Sequence, residues 1–98
     1  MSLLDDCKRK LDILSADSST DEKLQLCIAS GKRHLRKFNP KLTENDFEDN
    51  DSLARFLLLN FVLYDYNNVT EAFDDNYRRE IIDLRKEYEV SQYEYSEE

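Results

Sequence analysis

The sequence predicts an all-α fold: a compact bundle of about four helices, with a long loop between helices two and three and a flexible C-terminal tail. Three observations lead there. The 98 residues hold one Gly and one Pro, too few for a fold rich in tight hairpins. Charged residues make up 37% of the chain, which favours helices over strands. Apolar residues recur at three- and four-residue steps in four separate stretches, the period of one helix face. A chain of this length forms one domain. Its helical part is expected over residues 1–88, with an acidic, tyrosine-rich tail over 89–98.

The first helix is expected from Ser2 to about Leu14. Ser2 can cap it, Asp5 and Asp6 suit its positive first turn, and Leu3, Leu4, Cys7, Leu11 and Leu14 share a face. "SADSST" (15–20) reads as a polar connector. "STDE" (19–22) has the capping-box form, with Ser19 and Glu22 exchanging hydrogen bonds at the start of helix two. Leu24, Cys27, Ile28, Gly31, Leu35 and Phe38 then form a helical stripe. A Gly inside a helix costs ~1 kcal/mol relative to Ala, so Gly31 on that stripe predicts a helix crossing closely there. Asn39-Pro40 stops the helix.

Residues 39–51, "NPKLTENDFEDND", are expected to form the long loop, with Leu42 and Phe47 able to pin it and "TEND" able to make one short turn. Ser52 is a plausible cap for helix three, which runs to about Asn67. Nine of the eleven residues from Phe56 to Tyr66 are apolar or aromatic. Spanning a membrane takes ~20 such residues, and Asn60, Asp65 and Arg55 interrupt or bound the run. A buried helix fits better. Because it is apolar all round, it needs contact on several sides, and in so short a chain this points to help from other copies. "NNVTEAFDDN" (67–76) reads as a break or kinked join. Helix four follows to about Tyr88, with Phe73, Tyr77, Ile81, Leu84 and Tyr88 at helical steps. The tail reads as disordered; the spacing of Val90, Tyr93 and Tyr95 would also suit an extended segment that orders on a partner.

Charge divides the chain. Residues 1–43 carry +3 and residues 44–98 carry −11, which lets copies meet basic end to acidic end. "KRHLRKFNPK" (32–41) is the one basic cluster. Lys32, Arg33, Arg36, Lys37 and Lys41 read first as cations that complement the dipole at a helix C-terminus, next as a contact for an acidic protein surface, and last as a contact for phosphates. Sequence-specific DNA binding is not expected at net charge −8. The two cysteines could pair in an oxidising compartment; they fit better as small buried hydrophobes. One histidine, and no ligand-spaced cysteines, argue against a metal site. His34 lacks a nearby nucleophile and reads as a surface residue. The acids at 44–51 lack the central Gly and spacing of a calcium loop. "NVT" (68–70) fits a glycosylation triplet, but the charged N-terminal segment is not a secretory signal. No cofactor and no enzymatic activity are expected. The expected contact set for siblings or partners is Lys32, Arg33, Arg36, Lys37, Phe47, Tyr66, Arg78, Arg79, Tyr93 and Tyr95.

The order of parts carries a resemblance. A short leading helix precedes "TDEKLQLCIASGKRHLRKF", then come a variable loop, "ARFLLLNFVLYDYNN" and "NYRREIIDLRKEYE". Asp21, Leu24, Ile28, Gly31 and Phe38, followed by Ala54, Leu57, Leu58, Tyr64 and Asn67, stand in a pattern that resembles the small head–tail connector proteins of tailed bacteriophages and prophages. The likeness covers about residues 1–88. The chain lacks the Arg that often follows the third helix's tyrosine and the Pro/Gly-containing link before the last helix, so it does not set the path of residues 66–76. The resemblance implies a non-enzymatic helical subunit made in the bacterial host cytoplasm and placed in the virion neck. It would form a homo-oligomeric ring under the portal protein and dock a stopper or tail-completion protein. The alternative is a small acidic phage regulator, either a DNA mimic or an inhibitor of a host protein, which would display carboxylates on one continuous face.

Overall fold

A computed structural model describes residues 3–13 and 18–96, with backbone alone over 91–96. Among the described residues there are helices and no strands, as the composition predicts. The elements are α1 (Leu3–Lys10), α2 (Ser18–Arg36), α3 (Glu44–Glu48), α4 (Leu53–Tyr66), a 3₁₀ turn (Thr70–Ala72), α5 (Phe73–Asn76) and α6 (Arg78–Ser96). The four expected helices correspond to α1, α2, α4 and α6. The other two are single turns inside the segments read as loop and join.

Local chemistry sets the boundaries. α1 stops at Lys10, short of Leu14, because Asp12 takes a left-handed backbone (φ 57°) and the Ile13 amide turns back to the Lys8 carbonyl at 2.8 Å. The proposed Ser2 cap lies outside the described residues. α2 already begins at Ser18, so Ser19 and Glu22 lie inside the helix. A capping box appears in the loop. Thr43 Oγ1 accepts from the Asp46 amide, and Asp46 Oδ2 accepts from the Thr43 amide at 2.7 Å. Ser52 caps α4 as expected, accepting from the Arg55 amide at 3.0 Å. Asn68 (φ 60°) ends α4, with the Val69 amide reaching back to the Tyr64 carbonyl at 2.9 Å; Asn tolerates this left-handed position better than most residues. Tyr77 leaves helical geometry (ψ 26°) and makes the kink between α5 and α6.

The tail differs from expectation. α6 continues through residue 96 as helix, so the segment from Glu89 is not irregular. Its sequence contains no Gly or Pro after Tyr77 and is rich in residues that a helix accepts at little cost.

α4 lies at the centre, touched by α1, α2, α3, the 3₁₀ turn and α6. Leu57, Leu58 and Val62 are fully enclosed, and Ala54 and Phe61 nearly so. Each large side chain so buried contributes about 1.5–3 kcal/mol. Short elements, α3 and the 3₁₀ turn, add to the cover given by the longer helices, so much of the contact α4 needs comes from within the chain. Leu53, Leu59 and Leu63 stay half-buried. Phe56 remains exposed on α4.

The α2–α4 crossing is as close as Gly31 implies. A Cβ on Gly31 would lie 2.6 Å from Leu58 Cδ1 and 3.0 Å from Phe61 Cδ1. Both neighbours are held in the core, so neither can retreat cheaply.

Two buried polar side chains fix the register of α6. Asn60, the interruption in the apolar run, donates to the Phe56 carbonyl at 2.8 Å and accepts from the Tyr77 hydroxyl at 3.0 Å. Asn39 donates to the Leu84 carbonyl at 3.3 Å and accepts from the Lys41 amide at 3.1 Å. The residue read only as a helix stop thus also ties the end of α2 to α6.

Arg55 is the third buried polar residue, 4% exposed. Its guanidinium donates to the carbonyls of Phe47 (3.0 Å) and Glu48 (3.4 Å) and pairs with Asp6. One side chain on α4 therefore holds both α1 and the end of α3. Cys7 and Cys27 are free and buried. Burial, with Asp6 adding, pushes the Cys7 thiol up to about 11; burial, with a hydrogen bond to Asp65, pushes Cys27 to about 12. Both are protonated at neutral pH, as small core hydrophobes.

Two outcomes are expected in urea unfolding. Gly31→Val should lower stability by ~2–3 kcal/mol through overpacking. Gly31→Ala should cost less, because regained helix propensity of ~1 kcal/mol offsets part of the clash. Separately, Arg55→Met should cost ~3 kcal/mol, since it leaves two carbonyls without their donor and Asp6 with only the more distant Arg9, 3.7 Å away. A loss under 1 kcal/mol would mean that the guanidinium does not hold α1 and α3 in place.

Candidate interaction surface

Among the described residues, no three His, Cys, Asp or Glu side chains converge as potential metal ligands, and no helix is long and apolar enough to cross a membrane.

The basic cluster at the end of α2 divides into two pairs, each one helical turn apart. Lys32 and Arg36 turn towards α3. Lys32 Nζ is 2.6 Å from Glu44 Oε1, and Arg36 donates to Glu44 Oε2 at 3.0 Å and to the Leu42 carbonyl at 3.1 Å. Both cations also lie over the Phe47 ring, at 5.8 and 5.3 Å from its centroid. Arg33 and Lys37 face outward, exposed, with no ion pair among the described residues. The expected contact set is thus halved here: Lys32 and Arg36 serve the fold, while Arg33 and Lys37 stay available.

Phe47 requires a correction. It is fully buried and cannot contact a partner in this fold. Its ring is the anchor that seats α3 beneath the two cations. The ion pairs around it are partly exposed and contribute at most ~1 kcal/mol each, whereas burying the ring contributes about 1.5–3 kcal/mol. The apolar anchor therefore dominates, with Lys32 and Arg36 closing over it.

Tyr66 is half-buried, with Lys23 Nζ 4.4 Å from its ring centroid. Arg78 is exposed and pairs with Asp75 at 3.0 Å. Arg79 is exposed and has no ion pair among the described residues. The side chains of Tyr93 and Tyr95 lie outside the described residues. The expected residues thus do not converge on one patch; they are distributed over α2, α4 and α6.

His34 also departs from its expected surface role. It stacks on Phe61 (centroids 5.1 Å apart, planes at 28°) and meets Phe38 and Phe73 edge-on. Asp74 Oδ1 accepts from its Nε2 at 2.7 Å. Phe73 in turn stacks on Tyr77 at 5.0 Å. His34 is the outer member of an aromatic layer that joins α2, α4 and α5.

Two shallow depressions lie elsewhere on the surface. One is lined by Arg78, Arg79, Ile82, Asp83 and Lys86 of α6. The other is lined by Asp21, Glu22, Gln25 and Leu26 of α2. Ile82 is 44% exposed and Leu26 70%. Sequence reasoning passed over both, although each is an apolar residue lying off its helix's buried stripe, which was the available signal.

Several carboxylates of the acidic half are engaged within the chain. Glu44 is held by Lys32 and Arg36, Asp46 by Thr43, and Asp74 by His34. The Lys32 and Arg36 hydrogen bonds hold the Glu44 carboxyl below its usual range. A depressed folded-state value means the pair stabilises the fold above the unfolded glutamate value and stops doing so as pH falls through the folded one. Wild type and Glu44→Gln should therefore differ in urea midpoint at pH 7, wild type being the more stable, and converge in acid. A gap that persists in acid would show that the pairs with Lys32 and Arg36 are not its source.

No family model matches this chain, and no curated protein or solved structure is similar enough to count as a match.

Proposed function

We propose that the chain is a non-enzymatic assembly subunit of the phage or prophage head–tail connector type, forming a ring beneath the portal and joining head to tail. The observation that carries this reading is the form of α6. Its buried residues end at Leu84, Tyr88 is half-buried, and Glu89 and Val90 are exposed, yet the helix runs on through residue 96. About 12 Å of helix thus follows Tyr88, the last half-buried residue among those whose side chains are described. A long exposed helix end is suited to docking in a partner's groove.

Other features support the same reading. The core is closed around α4, so binding falls to surface faces and not to an interior pocket. Arg33, Lys37, Arg79 and Lys86 remain uncommitted beside many carboxylates, and these allow contacts between copies of opposite local sign. The order of helices and the residues on α2 and α4 resemble the connector pattern. The regulator reading would need an unbroken carboxylate face, and the engagement of Glu44, Asp46 and Asp74 weighs against it.

The test is co-sedimentation with assembled portal encoded in the same genome, followed by electron microscopy. Retention is expected, with added density forming a ring at one end of the portal. Removal of residues 89–98 should abolish retention while leaving the helical spectrum of the remaining chain in place. If full-length protein at high concentration never co-sediments with portal, the connector reading is wrong.

A further inference from the structure

The two shallow depressions differ in sign and share a plan. Each lies on one face of a 19-residue helix. Each presents one exposed aliphatic side chain, Ile82 on α6 and Leu26 on α2. Around Ile82 stand Arg79 and Lys86, exposed and without ion pairs among the described residues. Arg78 is paired with Asp75, and Asp83 also lines this face. Around Leu26 stand Glu22 and Gln25, likewise exposed and without ion pairs among the described residues. Asp21 is paired with Lys8 at 2.5 Å.

We propose that these are the two halves of one contact: the Arg79–Ile82–Lys86 face of α6 docks on the Glu22–Gln25–Leu26 face of α2 in a second copy of this chain. The inference rests on the subunit reading above and specifies which surfaces join the copies. Ile82 and Leu26 supply the apolar centre, with Arg79 and Lys86 on one side and Glu22 on the other as the charges of its rim, the arrangement of a specific interface with a dry middle and polar rim. Arg79 and Lys86 are two turns apart, about 10 Å along the helix, so they can flank a residue seated on Ile82. Glu22 lies one turn from Leu26 and is placed to meet one of them.

The geometry also selects the kind of assembly. The two faces are different surfaces of one protomer, so every copy offers one of each. With each face meeting a different neighbour, such a head-to-tail contact closes into a ring or continues as a filament; a two-fold pair would need both faces to meet the same copy at once. The net charge of −8 opposes association at long range, which makes the local match of sign decisive.

Sedimentation velocity up to millimolar concentration tests this, using the full chain with folding checked by far-UV circular dichroism. All the substituted side chains are exposed, so the fold should be retained. Wild type should form oligomers larger than dimers as concentration rises. Arg79→Glu with Lys86→Glu should weaken association at least about tenfold, and so should Leu26→Asp. Adding Glu22→Lys and Gln25→Lys to the α6 double variant should restore association. Arg33→Glu with Lys37→Glu changes net charge equally but lies outside the contact, and should leave association within about threefold of wild type.

Three results would overturn the contact: wild type monomeric throughout, no restoration by the Glu22→Lys and Gln25→Lys pair, or equal loss in the Arg33/Lys37 variant. The last would indicate either general charge repulsion or α2 faces pairing with each other. Portal co-sedimentation run on the same proteins separates the two proposals. Wild type that binds portal as a ring regardless of these substitutions leaves the subunit reading standing and removes the contact.

Discussion

The close crossing of α2 over α4 at Gly31 governs most of what surrounds it. With no Cβ in the way, the backbone of α2 approaches the side chains of Leu58 and Phe61 more closely than any other residue allows. One turn further along α2, the same approach lays His34 on Phe61. Phe73 then meets the edges of both rings and stacks on Tyr77. The chain leaving α4 is thereby turned back through the 3₁₀ turn and α5, and α6 starts in the position where Tyr77 can reach Asn60. A wider crossing would break this sequence of contacts at its first step.

At the N-terminal end of α4, Arg55 performs a different task. A single guanidinium accepts no partner by shape alone; buried at 4% exposure, it must find an acceptor for each of its donors or destabilise the fold. The carbonyls at the end of α3 and the Asp6 carboxylate meet that need. The requirement works in both directions. α3 is five residues long, too short to be stable alone, and it persists because its start is capped by Thr43, its Phe47 is buried, and its last carbonyls are occupied by Arg55.

Enclosing most of α4 within the chain has a consequence for function. It leaves Phe56 exposed and Leu53, Leu59 and Leu63 half-buried, so no bare apolar helix remains for copies to cover. In the proposed assembly, contact would depend on smaller features: single aliphatic side chains on α2 and α6, and cations left without ion pairs among the described residues. Contacts of that kind are individually weak. They gain strength when repeated around a closed assembly or when a larger partner aligns the copies, which is the situation of a subunit that assembles on a template.

The helical class, the four long helices, the Ser52 cap, the apolar face of α2 and the close crossing at Gly31 were all determined by sequence, because each depends on neighbours within a few residues or on a glycine placed where a side chain would be expected. The identity of α4 as the central helix was equally legible, since no amphipathic arrangement accommodates that many apolar residues. Tertiary structure alone decided how α4 is covered, that Phe47 is an anchor and not a contact, that Arg55 is buried, that His34 joins an aromatic layer, and that Lys32 and Arg36 separate from Arg33 and Lys37. These depend on partners 6 to 49 residues away. A charged or aromatic side chain reads the same in sequence whether it faces solvent or a distant acceptor, and only the folded chain determines which of the two it meets.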